Sequence, residues 1–219
     1  MSEKKKGLCI SIVSLSLFII MLILLLFVDK SDEVGLSGFN KLYSHDYNKA
    51  LDIISDILFY IVILIFVASI IFFIYKLIKV KDVKKVDYRF YIYYLVAFLA
   101  VLIWILFDFV IKINNRPNVI DGQVESSFPS THVFLTTYIL LPLTTFFFKK
   151  DRERNPEKID LDTIITVIAF VVIGAEFVLR FWSGMHWLTD CICGLLLGVF
   201  LFGLYYFLIS LIKDKKSLD

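Results

Sequence analysis

Apolar residues run through this chain in six long stretches, roughly 8–28, 53–77, 90–111, 132–148, 161–180 and 187–211, with polar residues gathered between them. About 20 apolar residues cross the hydrocarbon core as a helix. The pattern therefore predicts an all-α, polytopic membrane bundle of about six transmembrane helices, one domain over residues 1–219. The connections alternate in character. "KLIKVKDVKKVDYR", "KKDRERNPEK" and the tail "KDKKSLD" are rich in lysine and arginine, whereas 29–52, 112–131 and 181–186 carry few. Basic loops stay in the cytoplasm, which places both termini inside a cell membrane and the three sparse loops outside. Segment 29–52 opens with the flexible "VGLSGFN" and continues as "KLYSHDYNKALDIISDILF", expected to form an interfacial helix leading into the second span. His45 within it reads as a solvated surface histidine. There is no internal repeat of the kind transporters show.

Composition sharpens this picture. A hydrophobic fraction of 59% and a mean hydropathy of +0.81 exceed what a soluble domain of 219 residues can hide. Net charge is only +2, so the placement of charges is more informative than their sum, and no nucleic-acid partner is expected. The first apolar run is too long for a signal peptide and ends in "VDKSDE" without a small-residue cleavage site, so it reads as a retained anchor. Cys9, Cys191 and Cys193 all fall in apolar runs, and the last two are not spaced as a redox pair. Buried, inert thiols are expected.

The polar residues that look out of place converge on the outer side. "KINNRPNV" follows the third span, "SSFPSTHVF" opens the fourth, and "RFWSGMHWLTD" joins the fifth to the sixth. Together they supply Lys112, Arg116, Ser130, His132, Arg180, His186 and Asp190. His186 and Asp190 are four apart, so they share a helical face, and the carboxylate leans back toward the imidazole. A carboxylate on one ring nitrogen fixes the tautomer and frees the other as a nucleophile. Ser130 and Thr131 suit the N-cap of the helix that begins at His132. Two helix N-termini, two arginines and a lysine make an anion site suited to phosphate.

Each residue also has an ordinary reading: Asp190 as a cap, a lone interfacial histidine as a hydrogen-bonder, Arg-Pro as a helix exit. Two histidines and two arginines on one side of a chain with three histidines favour a site. The arginines would repel a cation and so argue against zinc. Asp108 with Lys112 and Glu176 with Arg180, both at i,i+4, are expected to form membrane-buried ion pairs that steady the bases. Gly194 and Gly198 give a small-xxx-small face for close helix packing inside the domain.

The ordered trio Arg-Pro, Pro-Ser-x-His and Arg-x5-His-x3-Asp resembles the type 2 phosphatidic acid phosphatase superfamily, whose fold lipid phosphate phosphatases share with vanadium haloperoxidases. The third motif is Arg180, His186 and Asp190, with Leu179 where a serine is usual. The second is Pro129, Ser130 and His132, with Thr131 in place of glycine. The first is Arg116 and Pro117; Phe109 stands where the family lysine would, and Lys112 is four residues before the arginine. The resemblance implies a two-step phosphoryl transfer with no metal and no cofactor. His186 would be the nucleophile, Asp190 its orienting partner and His132 the acid. Arg116, Arg180, Ser130 and Lys112 would bind the phosphoryl oxygens. The expected activity is hydrolysis of a membrane lipid phosphate or diphosphate at the outer leaflet, with undecaprenyl diphosphate, phosphatidylglycerophosphate and phosphatidic acid all compatible. A lipid phosphotransferase of the same fold is one alternative, and a transporter with a polar outer gate is another.

The charge bias is testable directly. A cysteine placed at Asn118 should be labelled by an impermeant thiol reagent in intact cells, and one at Asn155 should not. The reverse pattern would move the polar cluster to the cytoplasm.

Overall fold

The computed structural model describes residues 2–28, 40–41, 43–119, 122, 125–147 and 161–216. Six helices account for most of them: α1 Glu3–Ile23, α2 Lys49–Val80, α3 Tyr88–Ile105, α4 Thr131–Phe147, α5 Leu161–Trp182 and α6 Leu188–Lys216. Short polar residues start the first three. Ser2 accepts from the Lys5 N–H, Asn48 from those of Ala50 and Leu51, and Asp87 from that of Arg89. One π-helical turn prolongs α1 over Leu24–Val28 and another prolongs α3 over Leu106–Val110. Among the described residues the pairing outside helices is a single antiparallel bridge, Asn115 with Ser126.

Five of the six helices are long and apolar enough to cross a membrane. The exception is α4, whose 17 residues rise only about 25 Å. It is also a helix that needs little contact with lipid, because Val133, Phe134, Thr136, Thr137, Tyr138 and Ile139 are all buried among its neighbours. The buried tyrosine hydroxyls here find partners, as a dry interior requires. Tyr138 donates to the Tyr93 carbonyl at 2.6 Å, and Tyr93 donates to that of Ile139 at 3.2 Å.

Close approach to α6 fixes both α4 and α1. A Cβ on Gly194 would lie 2.6 Å from the Ser130 carbonyl, and one on Gly198 would lie 2.5 Å from the Thr137 Cβ. The small-residue face thus packs within the domain. On the other side, a Cβ on Gly7 would lie 2.6 Å from the Phe207 nitrogen, and Ser11 donates to the Phe200 carbonyl at 3.0 Å. Glu3 and Lys213 pair at 2.7 Å, so the two terminal helices finish at the same end of the bundle.

The opposite end carries three connections that are knitted together. Asn118 donates to the carbonyls of His45 and Gly184, each at 2.9 Å, and the Asn48 N–H donates to Ser183 at 2.9 Å. Gly184 has φ +71, and a Cβ there would lie 2.5 Å from the His45 carbonyl. Much of the predicted interfacial helix, 29–39 and residue 42, lies outside the described residues. Of the described remainder, Asn40 and Lys41 are helical, 44–48 are not, and the chain becomes helical again at Lys49 because Asn48 caps it. His45 is exposed, its ring edge-on to Phe181 at 4.8 Å.

Gly194→Val should lower thermal stability by about 1–3 kcal/mol, as expected for overpacking against backbone. Gly174→Ala, where a Cβ meets nothing within 4 Å, should be neutral or slightly stabilising. Thermal unfolding of both variants in detergent checks the pair.

Candidate active site

A cavity of about 250 Å³ opens at the knitted end and is lined by Arg116, Thr131, His132, Arg180 and His186, with Asp108 at its edge. Three chain segments far apart in sequence supply these groups. The segment 111–130 does so through a short ladder: the Arg116 N–H donates to the Glu125 carbonyl at 3.0 Å, and that of Ser127 donates to Asn114 at 2.9 Å. This register aims Arg116 at the cavity and delivers the chain to the start of α4, where His132 follows. Ser130 anchors the junction by donating its N–H to the Asp190 carbonyl at 3.0 Å.

His186 sits in the turn between α5 and α6, almost wholly buried. Its Nδ1 is 2.8 Å from the Ser127 carbonyl oxygen. A carbonyl can only accept, so Nδ1 carries the proton and Nε2 keeps its lone pair. Nε2 lies 3.3 Å from Arg180 Nη2, which donates toward it. Burial, reinforced by the positive charges of Arg180 and Arg116, holds the His186 pKa well below the usual histidine range. The imidazole is therefore neutral at pH 7, with its basic nitrogen beside a guanidinium.

Asp190 does not hold the ring as the spacing suggested. Its Oδ2 is 3.9 Å from Nδ1, beyond hydrogen-bond reach, and accepts the Trp187 N–H at 3.1 Å. That is the reach-back of a capping box at the start of α6. Ser127 takes the predicted role through its backbone, which carries no side-chain signature.

Arg180 is paired, but not to Glu176. Its Nη1 is 2.8 Å from Asp52 Oδ1 and 3.4 Å from Asp56 Oδ1, both on α2. Glu176 instead accepts from the Ser55 hydroxyl at 2.6 Å. The expected Glu176–Arg180 pair is thus replaced by contacts across helices, because α2 packs its polar first turns against α5. His132 shares this partner, with Nε2 3.2 Å from Asp56 Oδ1 and its ring 4.1 Å from that of Phe59. Asp52, Asp56 and Phe59 went unnoticed in the sequence. Acidic residues one turn apart at the start of a span were the available signal.

Two other expectations change. The expected i,i+4 pair of Asp108 with Lys112 needs a helix running through Lys112, but helical structure ends at Val110 and the backbone is extended at Ile111. Lys112 is exposed away from the cavity lining, and among the described residues it forms no ion pair with Asp108. Ser130 is fully buried behind Thr131, which lines the cavity in its place, and its hydroxyl makes no capping bond. Among the described residues, no three His, Cys, Asp or Glu side chains are grouped to hold a metal.

The profile of the PAP2 superfamily matches residues 10–213. The chain belongs to the PAP2 superfamily. No curated protein matches its sequence. In three dimensions this PAP2 chain is similar to the first transmembrane PAP2-type phosphatidylglycerolphosphate phosphatase from Bacillus subtilis, at 19% identity and a TM-score of 0.55. The match covers 92% of this chain and 96% of the other. The all-helical transmembrane fold expected from the sequence is therefore that of the PAP2 proteins.

The depressed His186 pKa has a consequence for stability. Below its ordinary pKa of about 6.5 the unfolded chain binds a proton that the folded site refuses. Stability from this group is full at neutral pH and is lost as pH falls below that value, at up to about 1.4 kcal/mol per pH unit. The thermal midpoint should drop between pH 7 and pH 5, and His186→Gln, which cannot titrate, should show a shallower drop.

Proposed function

We propose that this protein is an integral-membrane phosphatase that hydrolyses a lipid phosphate or diphosphate through a phosphohistidine on His186. The observation that carries the reading is the His186 ring. A carbonyl fixes its proton on Nδ1, while the unprotonated Nε2 stands beside Arg180 at the cavity. An imidazole held this way is a nucleophile with a phosphoryl-oxygen ligand next to it.

In the first step Nε2 attacks phosphorus while the bond to the leaving oxygen breaks, and His132 supplies the proton that oxygen needs. In the second, water attacks the phosphohistidine, His132 takes the proton from that water, and phosphate departs. Arg116 and Arg180 neutralise the phosphoryl oxygens throughout, and Thr131 is placed to add a hydroxyl. Asp190 supports the site by capping α6 and so fixing the turn that carries His186.

The substrate class follows from the cavity walls. Phe59, Trp104, Phe107 and Phe128 face the same space as the arginines and histidines, which suits a phosphate joined to an apolar body. The structural relative's substrate, phosphatidylglycerolphosphate, has that character, as do phosphatidic acid and undecaprenyl diphosphate. With the basic connections in the cytoplasm, both termini lie inside and the reaction takes place at the outer leaflet.

Purified protein in detergent should release phosphate from at least one lipid of this group, resist EDTA and be inhibited by vanadate. His186→Ala should lose roughly 10³-fold or more in kcat, and His132→Ala roughly 10²–10⁴-fold for substrates with a poor leaving group. Loss of activity in EDTA with recovery on adding zinc or magnesium would rule this mechanism out.

A further inference from the structure

The cationic groups of the site already have anionic partners. Arg116 Nη2 is 2.7 Å from Glu125 Oε2, and Arg180 Nη1 is 2.8 Å from Asp52. Asp56 is the unusual one. Its Oδ1 lies 3.2 Å from His132 Nε2 and 3.4 Å from Arg180 Nη1, so a single oxygen bridges the acid and the arginine. This is the arrangement a phosphoryl oxygen would adopt in the reaction described above, on which the following rests.

We propose that Asp56 stands in for a substrate oxygen before substrate binds and takes up one proton when an oxyanion binds, becoming a neutral hydrogen-bond donor to it. The groups facing Asp56 define its options. Asp52 shares its helix, Arg180 and Glu176 come from α5, His132 from α4, and Arg116 and His186 complete the surround from the connections. Asp52 also holds the Tyr47 hydroxyl at 3.0 Å, and Glu176 that of Ser55 at 2.6 Å, and neither of these carboxylates lines the cavity or touches His132. Asp56 alone of the three keeps a side chain 43% exposed and has two cavity-lining partners. A phosphate brought against it puts like charges in contact, and where two acidic groups share a site one of them holds a proton. The proton comes from solvent on binding and returns to solvent when phosphate leaves. While Asp56 is neutral, His132 is released to face the leaving oxygen.

Tungstate is a suitable probe, because it is a dianion at neutral and alkaline pH and its own titration does not intrude. Binding to the wild-type protein in detergent should weaken with rising pH, by about tenfold per pH unit for each proton taken up. Asp56→Asn should bind tungstate more tightly at the alkaline end, with a pH slope shallower by one proton. Because His132 touches Asp56, its own proton affinity changes in Asp56→Asn, and the comparison is repeated between His132→Gln and the double variant with Asp56→Asn, where that proton is absent. Asp52→Asn removes an equal charge from Arg180 without touching His132, and should keep the wild-type slope. Calorimetry of wild type in buffers of different ionisation enthalpy reads the proton uptake directly, so the result does not hang on how the variant folds. Equal slopes in wild type and Asp56→Asn, no uptake in wild type, or uniformly weaker binding by Asp56→Asn would overturn the proposal. The last result would make Asp56 only a counter-ion that keeps His132 charged. A wild type that neither binds tungstate nor releases phosphate from any lipid phosphate would overturn the phosphatase reading itself, whereas tungstate binding with equal slopes removes Asp56 alone.

Discussion

The Arg180 guanidinium is a full positive charge held 3% exposed at the end of a membrane helix, and the outer end of the bundle is arranged around it. An unpaired charge in such a place would be costly enough to break the fold, and removing one partner of a buried pair typically costs about 3–5 kcal/mol. Asp52 meets the need from α2, and the Ser55–Glu176 hydrogen bond one turn further in makes a second tie between the same two helices. With α2 pinned to α5 here, Asp56 and Phe59 are carried onto His132. The arginine that ligates phosphate in the proposed reaction is therefore also the reason the acid has its neighbours. Position and chemistry are set by one contact.

A second dependence runs through backbone. The ladder that joins Asn114 to Ser127 and Arg116 to Glu125 fixes where the Ser127 carbonyl points, and that carbonyl decides which nitrogen of His186 is protonated. The same segment reaches Trp187, whose indole donates to Asn115 at 2.8 Å. A side chain placed by main-chain hydrogen bonds has little freedom to drift, which is the condition for a nucleophile to be ready before its substrate arrives.

These dependences explain what the sequence did and did not reveal. The spans could be read because apolar runs of bilayer length have few other uses, and the predicted limits fall within a few residues of α1–α6. His132, His186, Arg116 and Arg180 could be read because such groups are expensive near lipid and cluster for a reason. Asp52 and Asp56 could not, since their meaning lies in the packing of α2 against α5, a contact between residues more than a hundred positions apart. Lys112 misled because its pairing with Asp108 assumed an α-helix through both, whereas α3 widens into a π turn and stops at Val110. Asp190 is subtler: its spacing to His186 fits an ion pair and a capping box equally well, and the structure has its Oδ2 on the Trp187 N–H while 3.9 Å from His186 Nδ1.

The packing of α1 against α6 bears on how the protein is made. The notch at Gly7 accepts backbone from α6, and Ser11 donates to the Phe200 carbonyl of the same helix, nearly two hundred residues downstream. Helices leave the ribosome in order and enter the bilayer one by one, and non-local contacts form only after both partners exist. α1 therefore waits in lipid, unclaimed by its principal neighbour, until α6 has been made. α4 likewise lacks the Gly194 and Gly198 surface that receives it. A chain stalled before α6 consequently leaves the seams of α1 and α4 uncovered, while α2 and α5 can already meet through Asp52 and Arg180.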